Sequence, residues 1–146
     1  MFELHIRAEP FAQWLRRAAE MLQTDARQSL GQSVALALAH AKGSRAFKDQ
    51  TGKLRGSITR FERGTWRMGI QATAKHAKFV EDDTKAHRIE AKKGNVLRFV
   101  QAGRVMFRRS VQHPGTKGTH FMQRAGELGG QALEDFLERA VKRSFR

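Results

Sequence analysis

The amino-acid sequence predicts an α+β fold, in which an antiparallel sheet of four or five strands is flanked by a long N-terminal helix and a long C-terminal helix. Two observations predict it. Apolar residues recur at three- and four-residue spacing near both ends of the chain, whereas short segments of alternating apolar and polar residues fill the middle. We expect a single domain over residues 1–146, with a helical segment over 1–43, a basic sheet segment over 44–117 and a C-terminal helix over 118–146.

The first helix is predicted over residues 10–42. Pro10 suits the first helical position, where no backbone N–H is needed. Gly31 lies within the apolar stripe and is a candidate point for a kink or a division into two helices. The stripe consists of Phe11, Trp14, Leu15, Ala18, Leu22, Leu30, Val34 and Leu38.

Five strands are predicted between the helices. Residues 44–55 are polar and basic and are expected to form a loop, and residues 74–82 are expected to form a short helix. Arg63-Gly64 and Ala102-Gly103 suit the turns of two hairpins. The predicted strands are residues 56–61, 65–73, 87–91, 95–100 and 105–111.

The last helix is predicted over residues 119–142, with Thr119 as its N-cap. Gly129 and Gly130 interrupt its apolar stripe, and each costs about 1 kcal/mol of helix propensity. They indicate either close packing against another helix or a neighbouring subunit, or a simple kink.

Charge is concentrated in the middle of the chain. The net charge is +14, and residues 41–117 contain nineteen Lys and Arg against six Asp and Glu. Such a field favours a polyanionic partner, either nucleic acid or an acidic protein surface, while the alternative is that the charge keeps the protein soluble. Because there is no cysteine, disulfides and thiolate-ligated zinc are excluded. No apolar run reaches signal-peptide or membrane-spanning length, so we expect no membrane partner.

Candidate catalytic residues do not form a recognisable constellation. Four histidines of the middle and C-terminal segments lack the HxH and HExxH spacings of metal sites, and neither Ser57 nor Ser110 lies in a nucleophile elbow. Residues 115–118 precede a helix but lack the spacing of a phosphate-binding loop. We therefore expect no enzyme activity, no metal and no cofactor. The histidines are His76, His87, His113 and His120.

Glu81, Asp82 and Asp83 form the acidic cluster of the chain. Neighbouring carboxylates can bind a divalent cation, but three consecutive acids are more typical of a solvated turn. They could also pair with a basic face of the next subunit in an oligomer.

Aromatic residues are interleaved with the basic ones in the middle segment. This pattern fits a stacking platform for single-stranded nucleic acid, but at strand periodicity it favours core positions. The basic residues would then form a positive outer face. The aromatic residues are Phe47, Phe61, Trp66, Phe79, Phe99 and Phe107. The predicted basic face comprises Arg60, Arg67, Lys92, Lys93, Arg98, Arg104, Arg108 and Arg109.

The most unusual motif is His113-Pro114-Gly115-Thr116, between the last strand and the last helix. Proline fixes φ near −65° and glycine permits positive φ, so the motif predicts a sharp reversal. Together with Phe121 and Ala125, it resembles a signature of the tail-completion and head–tail joining proteins of long-tailed bacteriophages, the family of lambda-type minor tail protein Z. Further patches resembling this family, in the same order, are residues 51–58, 77–81, 87–93 and 97–99. Asp83-Thr84 stands where that family has Gly-Thr, and Ala91 where it has proline.

The resemblance implies a structural virion protein at the head–tail junction, assembled in the host cytoplasm. It implies a homo-oligomeric ring, expected to be a hexamer, that completes the tail and joins it to the head. The expected partners are neighbouring neck proteins, the tail-tube protein and genomic DNA in the lumen. The resemblance leaves open whether this is a completion, terminator or stopper ring. The expected subunit or neck contacts are His113, Pro114, Gly115, Thr116, Gly129, Gly130, Glu81, Asp82 and Asp83.

The sequence is also compatible with two other functions. The basic segment fits a stand-alone nucleic-acid-binding protein, which would bind DNA with strong salt dependence. The histidines alone would suggest a small basic nuclease or toxin.

Overall fold

The computed structural model describes residues 8–92 and 96–145. Two long helices, α1 (Glu9–Gly43) and α4 (Phe121–Ser144), flank all the strands in sequence. This confirms the predicted α+β class and both long helices. The intervening elements are α2 (Lys53–Ser57), β1 (Ile58–Glu62), β2 (Met68–Ala72), α3 (Ala77–Glu81), β3 (His87–Glu90), β4 (Leu97–Gln101), β5 (Arg104–Arg108) and β6 (Ser110–His113).

The strands pair as three two-stranded antiparallel sheets, β1–β2, β3–β6 and β4–β5, instead of the expected sheet of four or five strands. The region predicted as the last strand is divided into β5 and β6, which have different partners. β3 skips its sequence neighbour and pairs with β6, so the β4–β5 hairpin lies outside that ladder. Alternation along a strand fixes which side chains share a face but not which strand it pairs with.

The chain divides into two units. Unit 1 contains the chain up to Ala74 together with the chain from Phe121 onward, and unit 2 is Lys75–His120. Each unit is described by itself. The expectation of a single domain stays a prediction.

Unit 1 is built on the packing of α1 against α4, which run antiparallel. Arg143 pairs with Asp25 near one end of the contact, and the rings of Phe47 and Phe121 are 4.7 Å apart near the other. α1 is continuous through Gly31, so the predicted division does not occur. The buried apolar side chains of this unit are Ala18, Val34, Ala37, Ala41, Phe47, Leu54, Ile58, Phe121, Ala125 and Ala140.

Residues 53–57 form the short helix α2, where the sequence predicted a loop running into a strand. Gly52, with φ of 70°, precedes it, and the Asp49 carboxylate accepts the backbone N–H of Arg55 at 2.8 Å. The Arg55 guanidinium donates to the carbonyls of Lys42 and Ser44 at the C-terminal end of α1. These contacts join distant parts of the chain, so the local pattern of residues 53–57 gave no sign of a helix.

Candidate interaction site

The His113–Thr116 motif closes on the segment that follows α3. Thr84 and Thr116 form an antiparallel bridge, in which the Thr84 N–H donates to the Thr116 carbonyl at 2.8 Å. The Thr116 N–H in turn donates to the Thr84 hydroxyl at 2.7 Å. Two sets of residues predicted separately as interface residues therefore lie together: the motif and the acidic cluster beside Thr84.

Two glycines allow this close approach. Gly115 has φ of 91°, and a Cβ atom there would lie 2.1 Å from the Thr84 carbonyl oxygen. A Cβ atom at Gly118 would lie 2.4 Å from the Glu81 carbonyl oxygen. Neither position accommodates a side chain without moving the backbone. The predicted reversal with glycine at positive φ is confirmed, and Gly115 has a structural role within the unit.

The end of α3 is hydrogen-bonded to Thr119 and His120, the last two residues of unit 2. The Val80 carbonyl accepts the backbone N–H of Thr119 at 2.8 Å and its hydroxyl at 2.9 Å. The His120 N–H donates to the Glu81 carbonyl at 3.1 Å. The prediction of Thr119 as N-cap is wrong, because α4 begins at Phe121 and the Thr119 hydroxyl bonds to Val80 instead.

The two aspartates of the acidic cluster are both exposed but differ in their contacts. The Asp83 carboxylate accepts the Gly118 N–H at 2.6 Å, which holds the segment against the loop. Asp82 has extended backbone, with φ of −97°, and lies beside Lys78 and Phe79 at the rim of a pocket. Neither Asp82 nor Asp83 has positive φ, so neither position needs the left-handed conformation that favours glycine.

His87 and His113 face each other across the β3–β6 ladder, with ring centroids 5.1 Å apart. The His113 Nδ1 accepts the Gly115 N–H at 3.1 Å, so its proton belongs on Nε2. The His87 Nδ1 lies 3.0 Å from the Lys85 carbonyl oxygen and must therefore be the donor. His113 is thus part of the turn that its own motif forms.

A pocket of about 640 Å³ opens beside this cluster. His87 and His113 line it from the β3–β6 ladder, and Thr84 and Thr116 line it from the bridge. Phe79, a large apolar side chain, is 62% exposed at the same pocket. Its lining combines the apolar surface of Phe79 with charges of both signs, because Lys78 and Lys85 line it beside Asp82 and Asp83, and this suits a partner that is partly apolar and partly charged.

Unit 2 has little core of its own. Ala77 is its one buried side chain among the residues described. Phe79 and Phe107, predicted as core aromatics, are exposed, and so is Trp66 of unit 1, whereas Phe47 is buried as predicted. The exposed large apolar side chains of unit 2 are Phe79, Ile89, Val96, Val100, Val105 and Phe107.

The predicted basic face is divided. In the β4–β5 hairpin, Arg98 pairs with Phe107 and shares a face with Val100 and Val105. Arg104 and Arg108 lie on the opposite face, with Leu97, Phe99 and Met106. The prediction that alternate positions collect the arginines on one face is wrong here, because the strands pair in a register that sets Arg98 opposite Phe107.

The other members of that predicted face are also dispersed. Arg60 is on the same face of β1 as the buried Ile58 and forms an ion pair with Glu62. Arg67 precedes β2 in the turn of the first hairpin. Lys92 and Arg109 are exposed in unit 2, and Lys93 lies outside the described residues.

The two glycines of α4 have different environments. Gly129 is buried, and a Cβ atom there would lie 3.0 Å from the Ala37 Cβ atom of α1. Gly130 is exposed, with nothing within 4 Å of such an atom. The expectation that Gly129 lies at a subunit contact is wrong, since α1 of the same chain covers it, and close helix packing is the reason for this glycine.

Sequence reasoning missed Thr84, Gly118 and the exposure of Phe79. The glycine spacing of residues 115–118 was visible, but its partner was not, because backbone contacts across more than thirty residues leave no local pattern. No group of three or more metal-ligating side chains occurs within residues 8–92 and 96–145.

Comparison of the chain with protein-family models, curated proteins and solved structures finds no match. In the part of the chain that the structure describes, no helix has both the length and the apolar character needed to span a bilayer.

Proposed function

We propose that this chain is a ring-forming structural subunit at the head–tail junction of a long-tailed bacteriophage or phage-like particle. In this role it completes the tail and joins it to the head. The proposal begins from the ordered sequence patches that resemble the tail-completion family. In this role the protein acts by binding to the surfaces of other protein subunits.

The observation that carries an assembly role is the composition of unit 2. The described part of this unit has one buried side chain and six exposed large apolar ones, so it gains little stability from its own interior. Apolar surface of this kind is typical of a protein–protein contact. The β4–β5 hairpin pairs with none of the other described strands, and a two-stranded hairpin needs further packing to be stable.

The closed loop at residues 113–118 supports the same proposal. It holds the acidic cluster and the pocket in a fixed arrangement through backbone hydrogen bonds and two glycine contacts. A contact surface that is already ordered before association loses less conformational entropy on binding. Such a surface suits a subunit that must fit identical neighbours.

The test is electron microscopy of particles made by the phage when this gene alone is deleted. We expect filled heads lying apart from tails, or tails with abnormal ends, and restoration when the gene is supplied from a plasmid. Normal, fully joined particles would rule out the proposed role.

Nucleic-acid binding is the second candidate, and the exposed arginines of β4 and β5 favour it. Arg98, Arg104 and Arg108 have no ion-pair partner among the described residues. If these side chains bind phosphates, DNA affinity must fall steeply with salt, by roughly tenfold or more between 50 and 200 mM. Affinity that stays constant over that range would exclude this function.

A further inference from the structure

No part of the chain within residues 8–92 and 96–145 covers the apolar face of the β4–β5 hairpin. Val100, Val105 and Phe107 are on this face and are 65%, 45% and 57% exposed. Arg98 is the cation on the same face. Among the described strands these two pair only with each other, and a two-stranded hairpin alone is marginally stable in water.

The pocket beside the closed loop has the complementary character. Phe79 contributes exposed apolar surface, and Asp82 and Asp83 contribute carboxylates at its rim. Lys78 and Lys85 also line the pocket, so its lining has no net formal charge, whereas unit 2 as a whole contains eleven Lys and Arg against four Asp and Glu. None of the residues that line the pocket belongs to β4 or β5.

We propose that the β4–β5 hairpin of one subunit docks into this pocket on a second copy of the chain. The apolar face of the hairpin, which consists of Val100, Val105 and Phe107, packs on Phe79. Arg98 forms an ion pair with the carboxylate of Asp82. This inference rests on the proposed ring function and names its subunit contact.

The two docking surfaces are different, so each subunit has one of each. Such a contact leaves a free surface at both ends of any open assembly, and it is fully satisfied only when the assembly closes, either as a pair of subunits that exchange hairpins or as a larger ring. The ring of the proposed function is one of these closed assemblies. Nucleic acid is a poorer occupant of the pocket, because the carboxylates of Asp82 and Asp83 offset the attraction of Lys78 and Lys85 for phosphates.

The first experiment compares two charge reversals on opposite faces of the same hairpin. Arg98→Asp should raise the dissociation constant of the purified oligomer at least about tenfold in sedimentation velocity. Arg104→Asp should leave it unchanged, and adding Asp82→Arg to Arg98→Asp should restore association. Equal loss from both arginine variants, or no loss from Arg98→Asp, would overturn the proposal.

The second experiment mixes two variants that each retain one surface. Phe107→Ser impairs the hairpin and Phe79→Ser impairs the pocket, and both side chains are exposed, so circular dichroism should show an intact fold. Each variant alone should be monomeric, and the mixture should form a one-to-one dimer and nothing larger. A mixture that stays monomeric or forms rings would overturn the proposal, as would a wild-type chain that never associates.

These results are separable from the particle experiment. Joined particles after gene deletion would remove the neck function but leave a hairpin-dependent oligomer intact. Unaffected oligomers of the Arg98→Asp variant would remove the docking mode but leave the neck function intact.

Discussion

Gly129 and Gly130 are adjacent in α4, yet alanine should stabilise the protein at Gly130 and leave it unchanged or destabilise it at Gly129. Alanine gains about 1 kcal/mol over glycine in a helix interior. At Gly130 nothing lies within 4 Å of the new methyl group, so the full gain should appear. We expect Gly130→Ala to be more stable than the wild type by about 1 kcal/mol.

At Gly129 the same methyl group would lie 3.0 Å from the Ala37 Cβ atom and 3.2 Å from the Ser33 carbonyl oxygen. Carbon atoms prefer separations of about 3.5–4.0 Å, so α1 and α4 must move apart by roughly 0.5 Å or more. Overpacking of this kind costs about 1–3 kcal/mol, which offsets or exceeds the propensity gain. The two variants should therefore differ by about 1–3 kcal/mol.

The assay is urea unfolding monitored by far-ultraviolet circular dichroism, with thermal melts as a second measure. The difference should appear as roughly 4 °C of melting temperature for each kcal/mol. A double-mutant cycle with Ala37→Gly tests the contact itself, because removing the Ala37 methyl group should relieve Gly129→Ala by about 0.5–3 kcal/mol. Equal stabilisation by both alanine variants, with no coupling to Ala37, would refute the close helix contact.

Three further predictions follow from single contacts. The backbone N–H of Arg55 donates to the Asp49 carboxylate and holds the pKa of Asp49 below the ordinary aspartate value. The charged carboxylate therefore stabilises the fold fully at pH values above that ordinary pKa, and this stabilisation is lost as the pH falls through the lower pKa of the folded state. Melting temperatures of wild type and Asp49→Asn should therefore differ at neutral pH and converge in acid; a constant difference would contradict this. His113→Asn retains an acceptor for the Gly115 N–H and His113→Ala does not, so amide exchange at Gly115 should accelerate only in the alanine variant, and equal rates would contradict the bond. Phe121 is 1% exposed, and Phe121→Ala should lower the free energy of unfolding by about 3–5 kcal/mol; a loss below about 1 kcal/mol would show that the site is not tightly packed.

The two long helices could be predicted because their signals are local. The apolar stripes of α1 and α4 repeat over many turns, and Pro10 marks the first turn of α1. The short helix α2 could not be predicted in the same way. It depends on Asp49 and on the reach of Arg55 to the end of α1, which are contacts between separate segments.

The candidate site likewise combines features that can be predicted from the sequence with features that cannot. The reversal at His113–Thr116 follows from proline and glycine chemistry, and the acidic cluster is evident in the sequence. The contact between these two segments through Thr84 and Gly118 cannot be predicted from the sequence, because it consists of backbone hydrogen bonds that any residue type can form. The arginine prediction failed for a related reason: strand register decides which face each arginine occupies, and register depends on the partner strand.

Unit 1 is assembled from the two ends of the chain, and this has a consequence for its synthesis. α1 must wait for α4 before Ala37 and its buried neighbours are covered, and about one hundred residues separate the ends of these helices. At ribosomal rates of 5–20 residues per second, the apolar stripe of α1 stays open for roughly 5–20 s. During that interval the nascent chain is a substrate for chaperones, and on polysomes it is exposed to premature pairing with α1 of another nascent copy. Loss of α4 by early termination would leave that stripe permanently uncovered, so truncated products should be insoluble rather than partly active.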